Sequence, residues 1–340
     1  MNRRHGKTEV LPTDTPQELA SGIERAAQEL CAGGVVALPT ETVYGLAANA
    51  FDPEAVKKIF EIKGRPAHNP IIVHVDSLGM ARKCVARWTD RAEGLAHAFW
   101  PGPLTMVLTK SDSIPPLVTA GGQTVGIRWP SHPLMQAVIR ACGFPLAAPS
   151  ANLANQVSPT NAKHVCAQLA GRLGLVLDGG QCQVGIESTV VDVSTAPARL
   201  LRPGMIHDTA LLAVLPDLVV GSDAASGPLK SPGQLKKHYA PQARLVLLSW
   251  ESDADLRTRL ATQGISPATC HIIAHTRIPS DQGLGRVSVI PHDPEAFARA
   301  LYSELHACDH AGALTIVMEA LPTSPEWRAI ADRLRRAAAQ

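Results

Sequence analysis

The sequence predicts an α/β fold divided over two domains. Short apolar runs alternate with amphipathic helical patterns along the chain, an alternation typical of sheets that are covered by helices. The chain has 340 residues, which exceeds the roughly 100 to 200 residues of a usual single domain. The alternation weakens between residues 204 and 243. We therefore expect one large sheet with helices, followed by a smaller and mostly parallel α/β domain.

The first domain begins with a well-marked helix. Thr15 and Glu18 have the spacing of a capping box, Pro16 suits the first turn, and Gly33 ends the pattern. Apolar runs that are predicted to form one sheet follow at 35–40, 70–75, 104–109, 124–129, 145–150, 175–179 and 188–193. Helical patterns between them lie at about 52–63, 78–99, 131–142 and 160–173.

The second domain repeats strand and helix three times after the weak stretch. Its strand-like runs are ARLVLLSW, TCHIIAHT and ALTIVMEA, and a helical pattern follows each of them. This order predicts parallel strands joined by helices. The predicted boundaries are 14–206 for the first domain, 207–242 for a linker and 243–340 for the second domain.

Composition and charge exclude several classes of protein. The formal net charge of +2 is too small to indicate a nucleic-acid binder by bulk electrostatics. The cysteines number seven and no two lie within four residues of each other, which argues against a disulfide framework and a zinc knuckle. The sequence shows neither a long apolar run nor a signal peptide. We therefore expect a cytoplasmic protein with a short frayed N-terminus and no membrane contact.

Polar clusters follow several of the predicted strands. The run PTETVYGL places Thr42 just after the strand at 35–40, and ligands of open α/β sheets bind at such strand ends. The next cluster holds Lys63, Arg65 and Asn69 within seven residues. Two cations and an amide suit a polyphosphate, although a solvated helix C-terminus explains the same cations.

Two further positions have two explanations each. Arg128 lies in the apolar run TVGIRWP, where an unpaired charge is costly. Its partner is either an internal Asp or Glu or the carboxylate of an amino-acid ligand. Ser158 precedes Pro159 and is either a helix cap or a contact for an anion at that helix start. Ser150 and Asn152 add hydrogen-bonding groups in the preceding run APSAN.

These clusters, taken in order, resemble the threonylcarbamoyl-AMP synthase family, whose catalytic module is called YrdC-like. The motifs that carry the resemblance are PTETVYGL, KGRP followed by NP, WPGPLT, IRWP, PSAN, SPT, IEST and LRPG. They cover about 14–206, and the likeness to the long, two-domain form continues through SPGQLKKHYAP. One departure is Ala154-Asn155, where the family usually has Ser-Gly. The implied fold is a YrdC-like twisted open mixed sheet plus a Rossmann-like C-terminal domain.

The resemblance also implies an activity. It is the ATP-dependent synthesis of L-threonylcarbamoyl-adenylate from L-threonine and bicarbonate, with release of pyrophosphate and with Mg²⁺ on the phosphates rather than in a metal site of the protein. By analogy, the residues that bind threonine or its carbamate are Thr42, His74, Arg128, Ser150 and Ser188. Those that bind ATP are Arg65, Asn69, Thr124, Asn152, Ser158, Thr160, Arg202 and Tyr239. Lys63 and Arg65 are the implied catalytic residues near the phosphates.

The implied partners and the linker follow from the same resemblance. The adenylate would pass to a downstream tRNA threonylcarbamoyl transferase. This protein would then contact tRNA only indirectly, through that transferase. The linker holds Lys236, Lys237, His238 and Tyr239 in succession. These side chains could form a lid that excludes water from the adenylate, or the segment could be a disordered spacer.

Two other functions share parts of this pattern. YrdC-like modules resemble double-stranded-RNA binders without catalysis, but the cations Lys63, Arg65 and Arg202 favour a nucleotide pocket over an open basic face. A carbamoyl-adenylate-forming hydrogenase maturation factor carries the same module. Such factors add paired CxxC zinc sites, which this sequence lacks.

Overall fold

The chain divides into two compact units in a computed structural model that describes residues 7–66, 69–221, 232 and 238–339. The first unit comprises Met1–Ala154 and Ser158–Gln234, and the second comprises Asn155–Val157 and Leu235–Gln340. None of the helices in the described ranges is long and apolar enough to cross a membrane.

The described strands of the first unit form one mixed sheet of ten strands. They are β1 (Glu9–Pro12), β2 (Val36–Leu38), β3 (Gly45–Asn49), β4 (Ile72–His74), β5 (Leu104–Thr109), β6 (Thr124–Arg128), β7 (Leu146–Ala147), β8 (Leu175–Asp178), β9 (Thr189–Asp192) and β10 (Arg199–Arg202). Their order is β1-β8-β2-β3-β7-β4-β6-β5-β9-β10. Parallel pairs such as β4 with β6 and antiparallel pairs such as β5 with β6 both occur. The open mixed sheet expected from the sequence is confirmed.

Helices connect these strands and cover the sheet. Those that the structure describes are α1 (Pro16–Cys31), α2 (Pro53–Lys63), α3 (Leu78–Lys83), α4 (Asp90–Phe99), α5 (Pro133–Cys142), α6 (Ala162–Leu169) and α7 (Asp208–Val214). The capping box of α1 is confirmed, because Glu18 N donates to Thr15 Oγ1 at 3.2 Å and Thr15 N donates to Glu18 Oε2 at 3.0 Å.

Two hydrophobic cores lie on the two faces of the sheet. In the α1/α5 core, Leu30 and Val138 pack over β2, β3, β7 and β8. In the α2/α4/α6 core, Ile59 and Val165 pack against the opposite face. Alternating strand residues supply both cores, and burying both faces is what holds a sheet of this size together.

Three parts of the first unit differ from the prediction. The expected helix at 78–99 is two helices, because Thr89 Oγ1 accepts from Ala92 N at 3.2 Å and starts α4 there. The expected frayed N-terminus contains β1, which pairs in parallel with β8. The sequence does not predict β3, because its residues GLAAN include no β-branched or aromatic side chain.

The predicted linker at 207–242 begins as part of the first unit. Helix α7 buries Leu211, and Leu215 follows it into the α2/α4/α6 core. Leu200 N on β10 donates to Val219 O at 3.0 Å. Residues 222–231 and 233–237, which include Lys236 and Lys237, lie outside the described residues.

The second unit is a smaller parallel α/β domain. Its described sheet has the order β11-β14-β12-β13, and each pair of neighbours is parallel. The elements are β11 (Arg244–Leu248), α8 (Asp253–Thr262), β12 (Cys270–Ala274), β13 (Arg286–Val289), α9 (Pro294–His310), β14 (Thr315–Glu319) and α10 (Arg328–Ala337). The predicted parallel domain is confirmed. Strand β13 is additional, and its partly exposed sequence RVSV gives only a weak apolar signal.

Candidate active site

Neighbouring strands of the first unit place polar side chains on one face of the sheet. His74 at the end of β4 is the register partner of Arg128 on β6 and of Leu146 on β7. Register partners point to the same face, and Leu146 belongs to the α1/α5 core. The described part of that core includes no residue of β4, β5, β6 or β9. On these strands the same face instead carries His74, Arg128 and their polar neighbours.

The turn between β2 and β3 adds a third polar group at this place. Thr40 Oγ1 accepts from Thr42 N at 3.1 Å and from Val43 N at 3.2 Å. Val184 N donates to Glu41 O at 2.7 Å, which ties the turn to the segment before β9. Thr40, Glu41 and Thr42 are all buried. The turn is therefore held by its own hydrogen bonds, and its side chains do not depend on solvent for their positions.

Arg128 points into this turn. Its Nη1 donates to Thr42 Oγ1 at 2.8 Å, and its Nη2 lies 2.8 Å from Glu41 Oε1. The second contact is an ion pair that lacks the alignment of a hydrogen bond. Of the two partners considered for Arg128, the internal carboxylate is therefore present. Its pairing with a ligand carboxylate stays a prediction.

His74 lies beside Arg128 and is uncharged at neutral pH. Burial, and then the positive charge of Arg128, lower the pKa of His74 to about 3. Its Nδ1 is buried and has no hydrogen-bond partner among the described residues. A neutral imidazole can donate or accept a hydrogen bond at this nitrogen without adding charge to the site.

Ser188 connects β5, β9 and β10 on the same face. Its hydroxyl lies 2.8 Å from Thr105 Oγ1 and accepts from Arg202 Nη2 at 3.0 Å. Arg202 Nε also donates to Ser188 O at 3.0 Å. The structure thus brings a residue predicted to bind threonine into contact with a cation predicted to bind ATP.

Lys63 at the end of α2 holds the segment that follows β7. Its amine donates to Ser150 O and Asn152 O, each at 2.5 Å, and to Asn152 Oδ1 at 3.3 Å. Burial, and then the charge of Arg65, lower the pKa of Lys63. Three oxygen acceptors nevertheless favour the ammonium, because a neutral amine has only two N–H groups to donate. We therefore describe Lys63 as a buried cation that positions Ser150 and Asn152.

Arg65 and Asn69 lie in the loop after α2. Arg65 Nη2 donates to Pro70 O at 2.9 Å, and Nε donates to Asn69 O at 3.3 Å. Asn69 is buried, and its Oδ1 has no hydrogen-bond partner among the described residues, which exclude 67–68. The left-handed Gly64, with φ of 60°, ends α2 just before Arg65. The cluster lies at a helix C-terminus, but Lys63 and Arg65 are buried, so the explanation by a solvated helix end is wrong and binding of a polyphosphate stays a prediction.

Ser158 is not the cap of the following helix, so this alternative is wrong. Asn161 caps α6, since its side chain accepts from His164 N at 2.9 Å. Ser158 is buried and donates to Glu187 Oε1 at 2.6 Å. Thr160 N donates to His164 Nδ1 at 3.3 Å. Ser158 and Thr160 precede the helix start, where the anion explanation stays a prediction.

The last two predicted ATP residues lie farther from this cluster or in the other unit. Thr124 is on the same face of β6 as Arg128 but four residues earlier, which corresponds to roughly 13 Å along a strand. Tyr239 belongs to the second unit. Its ring stacks on Tyr302 with 6.1 Å between centroids and lies 5.4 Å from Arg333 Cζ. The assignment of Tyr239 to ATP stays a prediction.

Two polar residues of the site are not assigned from the sequence. Glu41 stands next to Thr42 in PTETVYGL, so an acidic residue at a strand end is the signal that could have identified it. Thr105 lies inside the apolar run LTMVLT. Only the pairing of β5 with β9 shows that it meets Ser188.

Two family models match the chain, one in each part. The model described as telomere recombination matches residues 28–204. The model described as the C-terminal domain of threonylcarbamoyl-AMP synthase matches residues 206–339. Between them they account for most of the sequence.

Named relatives and a solved structure cover nearly the whole chain. The threonylcarbamoyl-AMP synthase of Bacillus subtilis is 38% identical and covers 97% of this chain and 95% of its own. That of Pyrococcus abyssi is 36% identical and covers 93% of each. The crystal structure of P. abyssi Sua5 complexed with L-threonine matches with a TM-score of 0.89 at 35% identity, covering 97% of this chain and 98% of that one. The chain therefore belongs to the threonylcarbamoyl-AMP synthase family.

Proposed function

We propose that this chain is a nucleotidyltransferase that makes L-threonylcarbamoyl-adenylate from L-threonine, bicarbonate and ATP in the cytoplasm, with release of pyrophosphate. The product would reach adenosine in tRNA, as t6A, through a downstream transferase. Two relatives named threonylcarbamoyl-AMP synthase support this proposal. Their similarity covers 93% and 97% of this chain and more than nine-tenths of each relative. That coverage favours catalysis over the RNA-binding alternative, and a synthase over a hydrogenase maturation factor.

A cluster of buried polar atoms is the observation that carries the proposal. Among the described residues, hydrogen-bond partners are lacking for both carboxylate oxygens of Glu41, for Nδ1 of His74, and for Nε and Nη2 of Arg128. Buried polar groups in folded proteins are nearly always hydrogen-bonded, so unused capacity at one place indicates a ligand. A guanidinium fork suits the carboxylate of L-threonine. Thr42 and Ser188 would add hydroxyl contacts.

ATP would bind across the remaining predicted residues of the first unit. Arg65 and Arg202 supply guanidinium groups for phosphate oxygens, and Lys63 adds a buried positive charge while it positions Asn152. The roughly 13 Å between Thr124 and Arg128 leaves room for an extended ligand beside the threonine.

Magnesium would arrive with the triphosphate. Among the described residues, no group of three or more His, Cys, Asp or Glu side chains is placed to hold an ion. Mg²⁺ is commonly held by one or two carboxylates together with substrate phosphates. Glu187, which accepts from Ser158 at 2.6 Å, would supply one such carboxylate. The ion would neutralise phosphate charge as pyrophosphate leaves.

The reaction needs no covalent intermediate with the protein. The amine of threonine attacks carbon dioxide derived from bicarbonate and loses a proton, which forms a carbamate. A carbamate oxygen then bonds to the α-phosphorus of ATP while the bond from that phosphorus to pyrophosphate breaks. Each charged contact, such as Arg65 or Arg202, would stabilise this transition state by on the order of 2 to 4 kcal/mol. Burial raises the pKa of the Cys182 thiol, so no thiolate nucleophile is supplied there.

Product analysis by mass spectrometry tests the proposal. The protein is incubated with ATP, Mg²⁺, L-threonine and ¹³C-labelled bicarbonate, and the label is expected in an ion of threonylcarbamoyl-adenylate. Omission of bicarbonate should abolish that ion. Absence of the ion with a folded protein would overturn the proposed function.

If the linker acts as a lid, Tyr239→Ala in the full chain should lower the amount of intact adenylate that accumulates.

A further inference from the structure

A buried carboxylate faces the arginine that the proposed function assigns to the substrate carboxylate. Glu41 Oε1 lies 2.8 Å from Arg128 Nη2, and the two residues are 6% and 4% exposed. Neither oxygen of Glu41 has a hydrogen-bond partner among the described residues. The pair therefore balances charge while both oxygens of Glu41, and Nε and Nη2 of Arg128, form no hydrogen bond with a described residue.

The groups around Glu41 leave this balance undisturbed at neutral pH. Among the described residues, the charge of Glu41 contributes to the pKa shifts of His132 and Cys182. Burial lowers the pKa of His132 and raises the pKa of Cys182, so both are uncharged. His74, on the other side of Arg128, is also neutral because burial holds its pKa at about 3. Glu41 and Arg128 thus form a buried pair of opposite charges.

We propose that Glu41 binds the α-ammonium group of the amino-acid substrate and occupies Arg128 when that substrate is absent. This deepens the proposed function and rests on it. In an amino acid the ammonium and the carboxylate are attached to one carbon atom, so their partners must be neighbours. Glu41 and Arg128 are neighbours. Thr42 Oγ1 lies at the same place, because it accepts a hydrogen bond from Arg128 Nη1.

The charge balance makes Glu41 a determinant of specificity. A zwitterionic amino acid adds no net charge to the buried pair, and it offers N–H donors to the two unused carboxylate oxygens. A carboxylate without an ammonium would take Arg128 from Glu41 and leave Glu41 as an unpaired buried charge, which is strongly disfavoured. Glu41 therefore selects against simple carboxylic acids as well as for amino acids.

Calorimetry with two ligands tests this role. The probes are L-threonine and (R)-3-hydroxybutanoate, which has the carbon skeleton of threonine without the α-amine. In the unaltered protein, L-threonine should bind and 3-hydroxybutanoate should bind much more weakly. In Glu41→Gln, threonine affinity should fall on the order of tenfold to a hundredfold, as expected for loss of a hydrogen bond to a charged group. The affinity for 3-hydroxybutanoate should be unchanged or tighter, because Arg128 no longer has an internal competitor.

Two further variants separate a substrate contact from a structural one. Glu41→Asp keeps the charge and should recover part of the threonine affinity. Asp192→Asn changes another buried carboxylate on β9 that accepts from Ser194 N at 2.9 Å, and it should leave both affinities unchanged. Circular dichroism checks that each variant is folded.

Three outcomes contradict the proposals in different ways. Equal loss of both ligands in Glu41→Gln would mean that Glu41 acts only by holding Arg128 in place. Unchanged threonine affinity in that variant would exclude Glu41 as the partner of the ammonium group, with the proposed function intact. No threonine binding by the unaltered folded protein would overturn the proposed function and this inference together.

Discussion

Two buried carboxylates, one in each unit, differ in the hydrogen bonds that they accept. Glu319, at the end of β14, accepts from the backbone N–H groups of His275, Thr276 and Arg277 at 2.8, 2.8 and 3.1 Å. Glu41 has its ion pair at 2.8 Å but no hydrogen bond from the described residues to either carboxylate oxygen. Burial does not distinguish them, since they are 3% and 6% exposed.

The comparison separates a structural carboxylate from one that is prepared for a ligand. At Glu319, burial raises the pKa, but the N–H donors of His275 and Thr276 outweigh it and the net shift is downward. These donors lie just after β12, so Glu319 joins the ends of two neighbouring strands. At Glu41 the equivalent capacity is unused, which is costly in an interior unless a ligand supplies the donors.

Replacing Arg128 by leucine should have the largest effect on stability and on threonine affinity among the variants considered. The change removes the predicted partner of the substrate carboxylate and leaves Glu41 buried without its counter-ion, which typically costs about 3 to 5 kcal/mol. Threonine binding should be lost while nucleotide binding survives, as measured by calorimetry. Unchanged threonine affinity would assign Arg128 to a purely structural ion pair.

A double variant separates the stability effect from the binding effect. Arg128→Leu combined with Glu41→Gln removes the uncompensated charge, so the free energy of unfolding should recover in part. Threonine binding should not recover. If it did, the loss in the single variant would come from misfolding rather than from the missing guanidinium group.

Glu319→Ala should lower the free energy of unfolding by about 2 to 4 kcal/mol, because several backbone donors lose a charged acceptor. Chemical denaturation measures this change. Glu295→Ala is the matched control on the exposed first turn of α9, and it should stay within about 0.5 kcal/mol of the unaltered protein. Threonine affinity of folded Glu319→Ala should be unchanged. A loss of affinity there would contradict the division into a structural and a ligand-binding carboxylate.

His74→Gln should make the protein less sensitive to acid. Above about pH 6.5, His74 is neutral in the folded and the unfolded states. Below that pH the unfolded chain takes up a proton, whereas the folded protein does not until about pH 3. Stability should therefore fall by about 1.4 kcal/mol for each pH unit between those values, and His74→Gln should remove this contribution.

The measurement is the free energy of unfolding at several pH values from 7, just above the unperturbed pKa of histidine at about 6.5, down to about 4.5. His97→Gln, an exposed histidine on α4, is the control and should leave the slope unchanged. An equal slope in His74→Gln and the unaltered protein would mean that His74 is not held neutral by burial.

Glu251→Gln should have the smallest effect. Glu251 pairs with Arg277 at 2.8 Å, but their side chains are 75% and 46% exposed. Exposed ion pairs contribute about 0 to 1 kcal/mol because water screens them. A small change in unfolding free energy would show that the stability loss in Glu319→Ala comes from the burial of Glu319. It would not come merely from the removal of a carboxylate in this unit. A change as large as that of Glu319→Ala would contradict this.

Local patterns predicted most of the elements, and they failed where a residue's role depends on a distant partner. The capping box of Thr15 and Glu18 is confirmed because both of its bonds lie within one helical turn. Strand β3 has no local signal, since GLAAN is held in the sheet by β2 and β7. The sequence suggests Ser158 as a helix cap, but Asn161 is the cap and Ser158 donates a hydrogen bond to Glu187.

The sequence alone determined the α/β class, the order of the polar clusters and the family to which they point. These depend on composition, periodicity and motif order, which are properties of neighbouring residues. The tertiary structure decided which polar groups meet. Arg128 reaches Thr42 across 86 residues, Thr105 reaches Ser188 across 83, and Lys63 reaches Asn152 across 89. Such contacts depend on which strands become neighbours in the sheet and in what register, and no local pattern records that choice.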